Sequence, residues 1–177
     1  MSVRGVPLVL FVALVACGPS GASTSLAVGA RGELFETLGP CAPVASATLR
    51  FEEGRYEALA PGTERVACRD GTYTIHVAPI ARLEIEPVPS ARVGQPLVFA
   101  VRASDAAGNE LTIGRDTTVA WSFGGALASR PTPGCGDIVP ICPSRAAGYA
   151  VAASAGSGTI TAALGSARAV ATTSVGP

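Results

Sequence analysis

The stretch of sequence that decides the fold is LVFAVRA, residues 97–103. The side chains that fall on one face of this stretch in an extended chain are all apolar: Leu97, Phe99, Val101 and Ala103. Apolar residues that recur with a period of two are typical of a strand that packs one face against a core. Residues 97–103 therefore predict a β-strand, and the sequence around them must provide its partners.

The same alternation recurs on both sides of residues 97–103. Leu83 and Ile85 alternate with charged residues before it, and Val119 and Trp121 alternate with small residues after it. The chain contains 21 Gly and 14 Pro, and long runs of helix-favouring residues are absent. About seven short strands separated by turn residues are typical of a β-sandwich, so we predict an all-β fold.

The order of motifs in residues 82–175 resembles that of a bacterial Ig-like domain of the group 2 type. The motifs are Leu-Glu-Ile-x-Pro at 83–87, Val-Gly-Gln at 93–95, Leu-x-Phe at 97–99, Asp-x-x-Gly-Asn at 105–109, Val-x-Trp-Ser at 119–122 and Gly-Tyr-Ala-Val-Ala at 148–152. The resemblance implies an Ig-like β-sandwich at residues 81–177. Domains of this family are modules of adhesins, invasin-like proteins and envelope lipoproteins, where they act as spacers or binding supports and not as enzymes.

Residues 25–80 contain two strong signals for β-hairpins. The triplets Glu-Glu-Gly at 52–54 and Arg-Asp-Gly at 69–71 each separate two short alternating runs, and glycine is favoured in such tight turns. His76 falls on the more polar face of the strand that follows the second turn. A catalytic or ligand role is disfavoured because no nearby Ser, Cys or carboxylate pattern supports it. We predict a smaller β-rich module at 25–80, and its faint likeness to the Ig-like pattern suggests a degenerate second sandwich.

Residues 1–16 have the layout of a secretory signal. A single positive charge, Arg4, precedes an uninterrupted apolar run at residues 6–15. This run is too short to span a membrane, because a spanning helix needs ~20 apolar residues. The layout predicts that the chain is exported across a membrane and that residues 1–16 are removed.

The signal ends at Leu-Val-Ala-Cys, residues 14–17, which resembles the lipobox of bacterial lipoproteins. The resemblance implies cleavage before Cys17, attachment of lipid to its sulfur and a flexible tether at residues 17–24. Two or more acyl chains hold a protein stably on a membrane, whereas one chain does so only marginally. Gly18 stands where enteric bacteria place Asp to retain a lipoprotein in the inner membrane, so we expect the outer membrane. The alternative is an ordinary cleaved signal followed by a stray cysteine.

With Cys17 assigned to lipid, four cysteines remain in the exported chain: Cys41, Cys68, Cys135 and Cys142. Four cysteines allow three pairings, and disulfides persist in an oxidising compartment. We favour Cys41–Cys68 and Cys135–Cys142 because each pair then stays within one predicted module. A zinc site is disfavoured because it needs further Cys or His ligands and the chain has a single histidine.

The segment around the second cysteine pair, residues 134–143, departs from the Ig-like pattern, which has a shorter passage there. A small disulfide would rigidify this loop and pre-organise Ile138, Val139 and Ile141 for contact with a protein or glycan partner. The alternative is that residues 134–143 form a disulfide-bonded loop that only covers the edge of the sandwich.

The charged residues exclude several classes of function. The 13 positive charges balance 13 acidic residues, lysine is absent, and the arginines are scattered along the sequence. This pattern does not provide the basic stripe that nucleic-acid binding needs. We predict no nucleic-acid partner, no cofactor and no metal.

Patterns typical of an active site are also missing from the sequence. It has no phosphate-loop spacing and no Gly-x-Ser-x-Gly elbow. A calcium site is disfavoured, because the spacing of Asp105, Asn109 and Asp116 is not that of an EF-hand loop and turn formation accounts for the first two. Trp121 alternates with apolar neighbours as a core residue does, so a sugar-stacking role is disfavoured. An enzyme that uses His76 with an acidic partner is the weakest hypothesis.

We therefore predict a lipid-anchored cell-envelope protein without catalytic activity that displays an Ig-like binding or structural module. Its attachment is the membrane through the lipid on Cys17, and a protein or glycan of the envelope is the expected partner. The alternative function is an accessory subunit or stabiliser of a larger envelope or secretion complex, because exposed sheet edges can pair with a partner's sheet.

Overall fold

The computed structural model describes residues 22–33, 41–69, 71–132 and 144–177. Within these ranges the chain forms strands and turns only, so the prediction of an all-β fold is confirmed, and the search of these residues for a helix able to cross a bilayer found none. The strands are β1 (Ser23–Ala27), β2 (Arg31–Glu33), β3 (Val44–Ala45), β4 (Leu49–Glu52), β5 (Arg55–Ala58), β6 (Gly62–Cys68), β7 (Gly71–Ala78), β8 (Arg82–Ile85), β9 (Ala91–Arg92), β10 (Pro96–Phe99), β11 (Val101–Ser104), β12 (Glu110–Leu111), β13 (Ala120–Gly125), β14 (Leu127–Ser129), β15 (Gly148–Ala152), β16 (Gly156–Leu164) and β17 (Ala167–Gly176).

Strands β1 to β7 form a smaller sandwich of two sheets, ordered β1-β7-β6 and β2-β5-β4-β3. Both predicted hairpins are present, since β4 pairs antiparallel with β5 and β6 with β7. In the first turn Glu53 has φ 50° and Gly54 has φ 79°. Two successive residues with positive φ are the mark of a type I′ turn, whose twist matches that of the strands it connects.

Strands β8 to β17 form a larger sandwich, so the prediction of a β-sandwich in this half is confirmed. One sheet has the order β13-β16-β17-β9, and the facing strands are β14-β15-β10 and β8-β11-β12. Strands β10 and β11 are consecutive parts of one extended segment that is interrupted at Ala100, so both groups belong to the same layer. The alternation that predicted this segment is confirmed, because Leu97, Phe99 and Ala103 are all buried.

Three aromatic rings occupy the centre of this larger sandwich. The ring centroid of Phe99 lies 5.4 Å from that of Phe123 and 6.3 Å from that of Trp121. The indole Nε1–H of Trp121 donates to the carbonyl oxygen of Ala146 at 3.3 Å. A Cβ at Gly148 would overlap the indole ring, so glycine is what allows the ring to lie flat against β15. Trp121 is thus a partly buried core residue, as its alternation predicted.

The two halves of the chain share one hydrophobic core. From the smaller sandwich its largest fully buried side chains are Leu26, Leu49, Phe51, Val66 and Ile75. From the larger sandwich it includes Leu83, Ala103, Leu111, Val119, Ala162, Leu164 and Ala169. Burial of this kind contributes about 25 cal/mol per Å² of apolar surface, so the two halves stabilise each other directly.

Backbone hydrogen bonds also connect the two halves. Thr112 N–H donates to the carbonyl oxygen of Ser25 at 2.8 Å, and Ala27 N–H donates to that of Thr112 at 3.2 Å. Leu26 and Thr112 therefore form a parallel bridge. Because β1 pairs with β7 on its other side, strand pairing continues from the smaller sandwich into the larger one.

A disulfide joins Cys41 to Cys68, which is the pairing that the sequence analysis favours. It ties the segment before β3 to the end of β6, where Ala42 N–H also donates to the carbonyl oxygen of Ala67 at 2.7 Å. A loop closed over a sequence separation of 27 contributes roughly 3 kcal/mol to the free energy of unfolding on the loop-entropy model.

The other predicted site residues lie outside the described residues. These are Cys17, Cys135, Cys142, Ile138, Val139 and Ile141. Lipidation, the second disulfide and the contact loop therefore stay predictions.

The two halves also approach each other closely at Gly114 and Thr117. Thr117 is 1% exposed. Its hydroxyl accepts a hydrogen bond from Arg31 N–H at 2.8 Å and donates one to the carbonyl oxygen of Arg31 at 3.2 Å. A Cβ at Gly114 would collide with the carbonyl oxygen of Arg31 and with the phenol oxygen of Tyr56. Only glycine lets the two backbones approach this closely.

We expect Gly114→Ala to lower the free energy of unfolding by about 2–4 kcal/mol, because the added methyl group overlaps backbone atoms that cannot move aside. The matched control is Gly124→Ala in β13, where an added Cβ meets no atom within 4 Å, so its effect should stay below about 1 kcal/mol. Urea denaturation of both variants measures the difference, and equal losses would contradict this account of the junction.

Candidate functional site

A charged cleft of about 520 Å³ lies at the junction of the two sandwiches. Its charged lining residues are Arg31, Arg50, Arg55, Arg145, Glu57 and Asp116. The first three arginines and Glu57 come from strands of the smaller sandwich, whereas Asp116 and Arg145 come from the larger half. The packing of the halves therefore assembles this cleft, and neither half forms it alone.

Strand register places three of these side chains in one row. Arg31 of β2 lies opposite Glu57 of β5, and Arg50 of β4 lies opposite Glu57 from the other side. Residues directly opposite each other in a sheet have Cβ atoms about 5 Å apart, so their side chains interact. The alternation of each strand sends the neighbouring residues, such as the buried Phe51, to the core.

Glu57 is held by two arginines at once. It forms an ion pair with Arg31, and its Oε2 lies 2.9 Å from Nη1 of Arg50. The Glu57 side chain is only 22% exposed, whereas those of Arg31 and Arg50 are 62% and 63% exposed. Solvent-exposed ion pairs contribute at most about 1 kcal/mol each. Their main effect here is to fix the positions of the two guanidinium groups.

Arg55 occupies the other end of the cleft. Its Nη2 lies 2.8 Å from Oδ2 of Asp116, and its Nη1 lies 3.8 Å from Oε1 of Glu33. The first of these pairs crosses the junction, because Asp116 follows β12 in the larger half. At this end one arginine thus faces two carboxylates, the reverse of the arrangement around Glu57.

Arg145 completes the lining from the larger half. Its backbone N–H donates to the carbonyl oxygen of Arg115 at 2.8 Å, while the residue itself is exposed. Among the carboxylates of the described ranges, none is within ion-pair distance of its guanidinium group. This cation therefore adds to the positive charge of the cleft.

Tyr56 lies beneath the cleft and is 4% exposed. Its ring packs on Gly32, where an added Cβ would lie 3.2 Å from the phenol oxygen. Burial, and secondarily the charge of Asp116, raises the pKa of Tyr56 to about 12. The phenol therefore keeps its proton at neutral pH, and within the described part of the chain it has no hydrogen-bond partner. It is a donor available to an occupant of the cleft.

The candidate residues named from the sequence do not come together at one site, although Asp105 and Asn109 lie in the same turn. His76 is exposed, with its Nδ1 3.0 Å from the Thr63 hydroxyl. Asp105 closes a turn, accepting hydrogen bonds from the backbone N–H groups of Ala107 and Asn109 at 2.9 and 2.8 Å. The side-chain hydrogen bond from Asn109 is the main reason that the pKa of Asp105 is lowered.

Of these candidates only Asp116 lines the cleft, and it does so as an ion-pair partner of Arg55. A search of the described residues for groups of three or more His, Cys, Asp or Glu side chains that could hold a metal found none.

Sequence reasoning missed the arginines of the cleft because they are far apart in the chain. A signal was present, since Arg31-Gly-Glu33, Arg50-Phe-Glu52 and Arg55-Tyr-Glu57 each place Arg and Glu two positions apart. Side chains two apart lie on the same face of a strand. Three such strands side by side produce a charged face, but which strands are neighbours cannot be read from the pattern.

No protein-family model matches the chain, and no curated protein matches it. Among solved structures, domains 4 and 5 of the S-layer protein SbsC are 17% identical, with a TM-score of 0.38 over 77% of this chain and 75% of that chain. A chimeric titin Z1Z2 is 12% identical, with a TM-score of 0.35 over 88% and 92% of the two chains. In a longer SbsC structure, 19% identical with a TM-score of 0.37, the match covers 82% of this chain and 22% of that chain. These likenesses concern the fold alone.

We expect the raised pKa of Tyr56 to make the protein less stable at high pH. The folded state holds the phenol proton more tightly than the unfolded state, whose pKa is about 10. The stabilisation is therefore complete below about pH 10 and is lost as the pH rises towards 12. Ultraviolet titration of phenolate should show one tyrosine that ionises near pH 12, and Tyr56→Phe should remove that step. A Tyr149→Phe variant that removed the same step would contradict the assignment.

Proposed function

We propose that this chain is an exported, lipid-anchored envelope protein whose two sandwiches act together as a binding or structural module. Residues 1–16 would direct export, Cys17 would carry the lipid, and residues 17–24 would form the tether. The outer membrane is the proposed location, because Gly18 follows the lipidated cysteine.

The observation that carries the proposal is the rigid union of the two sandwiches. They share a hydrophobic core, a parallel strand bridge and the hydrogen bonds between Thr117 and Arg31. Separate domains on a flexible linker would move relative to each other, whereas this arrangement holds its surfaces at a fixed distance and orientation. A fixed geometry suits a module that spaces or presents a surface.

The disulfide between Cys41 and Cys68 supports export. Disulfides form and persist in oxidising compartments such as the periplasm and the cell surface, and they are rare in the cytosol. The bond lies inside the smaller sandwich, so it stabilises the half of the molecule that follows the proposed tether.

The anchor can be tested by metabolic labelling. The full-length chain is expressed in a bacterial host with an alkyne fatty acid, and the membranes are then separated from the soluble fraction. We expect the wild type to carry the label and to fractionate with membranes, and Cys17→Ser to lose both properties because it has no sulfur for the lipid.

A Cys41→Ser/Cys68→Ser variant is the matched control. It removes two other cysteines and should keep the label. An unlabelled, soluble wild type would show that the chain is not a lipoprotein, and label retained by Cys17→Ser would show that the lipid is attached elsewhere.

A further inference from the structure

We propose that the cleft between the two sandwiches binds a phosphate group, held by Arg31, Arg50 and Arg145 with Tyr56 beneath it. This site goes beyond the proposed role as an anchored module, and it does not depend on how the chain reaches or stays on a membrane. The ligand is either free phosphate or a phosphate ester on a sugar, which present the same dianionic group.

The distribution of charge inside the cleft supports an anionic ligand. Two guanidinium groups, those of Arg31 and Arg50, share the single carboxylate of Glu57. Arg145 adds a third cation with no carboxylate partner among the described residues. Over its whole lining the cleft therefore has four arginines against two carboxylates, those of Glu57 and Asp116, although the whole chain has a formal net charge of zero.

The second carboxylate of the lining, that of Asp116, pairs with Arg55. Arg55 also lies 3.8 Å from Glu33, which does not line the cleft, and each of the two lining carboxylates has at least one arginine partner. A dianion placed between Arg31, Arg50 and Arg145 gains attraction from three cations, and water in the open cleft reduces but does not remove that attraction.

The hydrogen-bonding capacity of Arg31 and Arg50 is largely unused. A guanidinium group has five N–H donors, and Arg31 and Arg50 each direct one of them to Glu57. The phenol of Tyr56, which also lines the cleft, adds an O–H donor that has no acceptor within the described ranges.

The geometry matches phosphate better than a carboxylate. A carboxylate is planar and is well served by one or two arginines, as Glu57 already is. A phosphate dianion has oxygens that point in several directions, and arginines contact such groups through pairs of parallel N–H donors. The three arginines come from β2, β4 and the segment before β15, so both halves of the chain contribute donors to the cleft. A volume of about 520 Å³ also accommodates a sugar phosphate.

Isothermal titration of the purified full-length chain with inorganic phosphate, glucose 1-phosphate and acetate, at constant ionic strength, tests the proposal. We expect saturable binding of at least one phosphate ligand with a Kd of about 1 mM or lower, and no saturable binding of acetate. If inorganic phosphate binds as tightly as the sugar phosphate, the ligand is the free ion. If glucose 1-phosphate binds more tightly, the ligand is a sugar phosphate.

Arg50→Gln and Arg145→Gln should each weaken binding about tenfold, since each removes one charge-assisted contact. Arg168→Gln is the matched control, because Arg168 is an exposed arginine on β17 that does not line the cleft. Its affinity should equal that of the wild type. Thermal unfolding of the three variants checks that each is folded, which we expect because the substituted side chains are exposed.

Three results would overturn the proposal. The first is the absence of saturable binding of either phosphate ligand to the wild type. The second is equal binding of acetate, which would mean that the cleft selects charge without selecting phosphate. The third is an equal loss of affinity in Arg168→Gln, which would mean that the overall charge of the protein, and not the cleft, attracts the ligand.

Discussion

The close approach of two backbones at Gly114 and Arg31 is the constraint on which the rest of the structure depends. The buried hydroxyl of Thr117 satisfies both backbone polar groups of Arg31, so this part of the junction can exclude water without leaving hydrogen bonds unmade. Once the backbones meet there, Leu111 and Val119 on either side reach the core of the smaller sandwich. The hydrogen bonds of Thr117 and the burial of Leu111 and Val119 therefore both stabilise the junction at the same place.

The junction also creates the charged cleft, because it brings residues of both halves to one point. Arg31 takes part in both features: its backbone binds Thr117, while its side chain pairs with Glu57. The strand alternation separates these two roles, since the backbone groups lie in the plane of the sheet and the side chain stands out from it. Any shift of β2 relative to the larger half would thus move a cation of the cleft as well as a hydrogen bond of the junction.

The sequence predicted the local structure well and the long-range structure poorly. The hairpin turn at Glu53 and Gly54, the inward face at Leu97 and Phe99, and the pairing of Cys41 with Cys68 all follow from patterns within a short span or one module. The cleft does not, because Arg31, Asp116 and Arg145 become neighbours only through pairings between distant strands. Alternation determines which face a side chain occupies, but it leaves open which strand lies beside it.

The position of β1 has a mechanical consequence. This strand lies between β7 and the Thr112 segment and runs parallel to both. A pulling force that enters the chain ahead of Ser23 and acts along the strand must shear all of these hydrogen bonds together, because none of them can open before the others. Such a loading geometry resists extension much better than one in which bonds open in succession. β1, the first strand among the described residues, therefore passes such a load to both sandwiches at once.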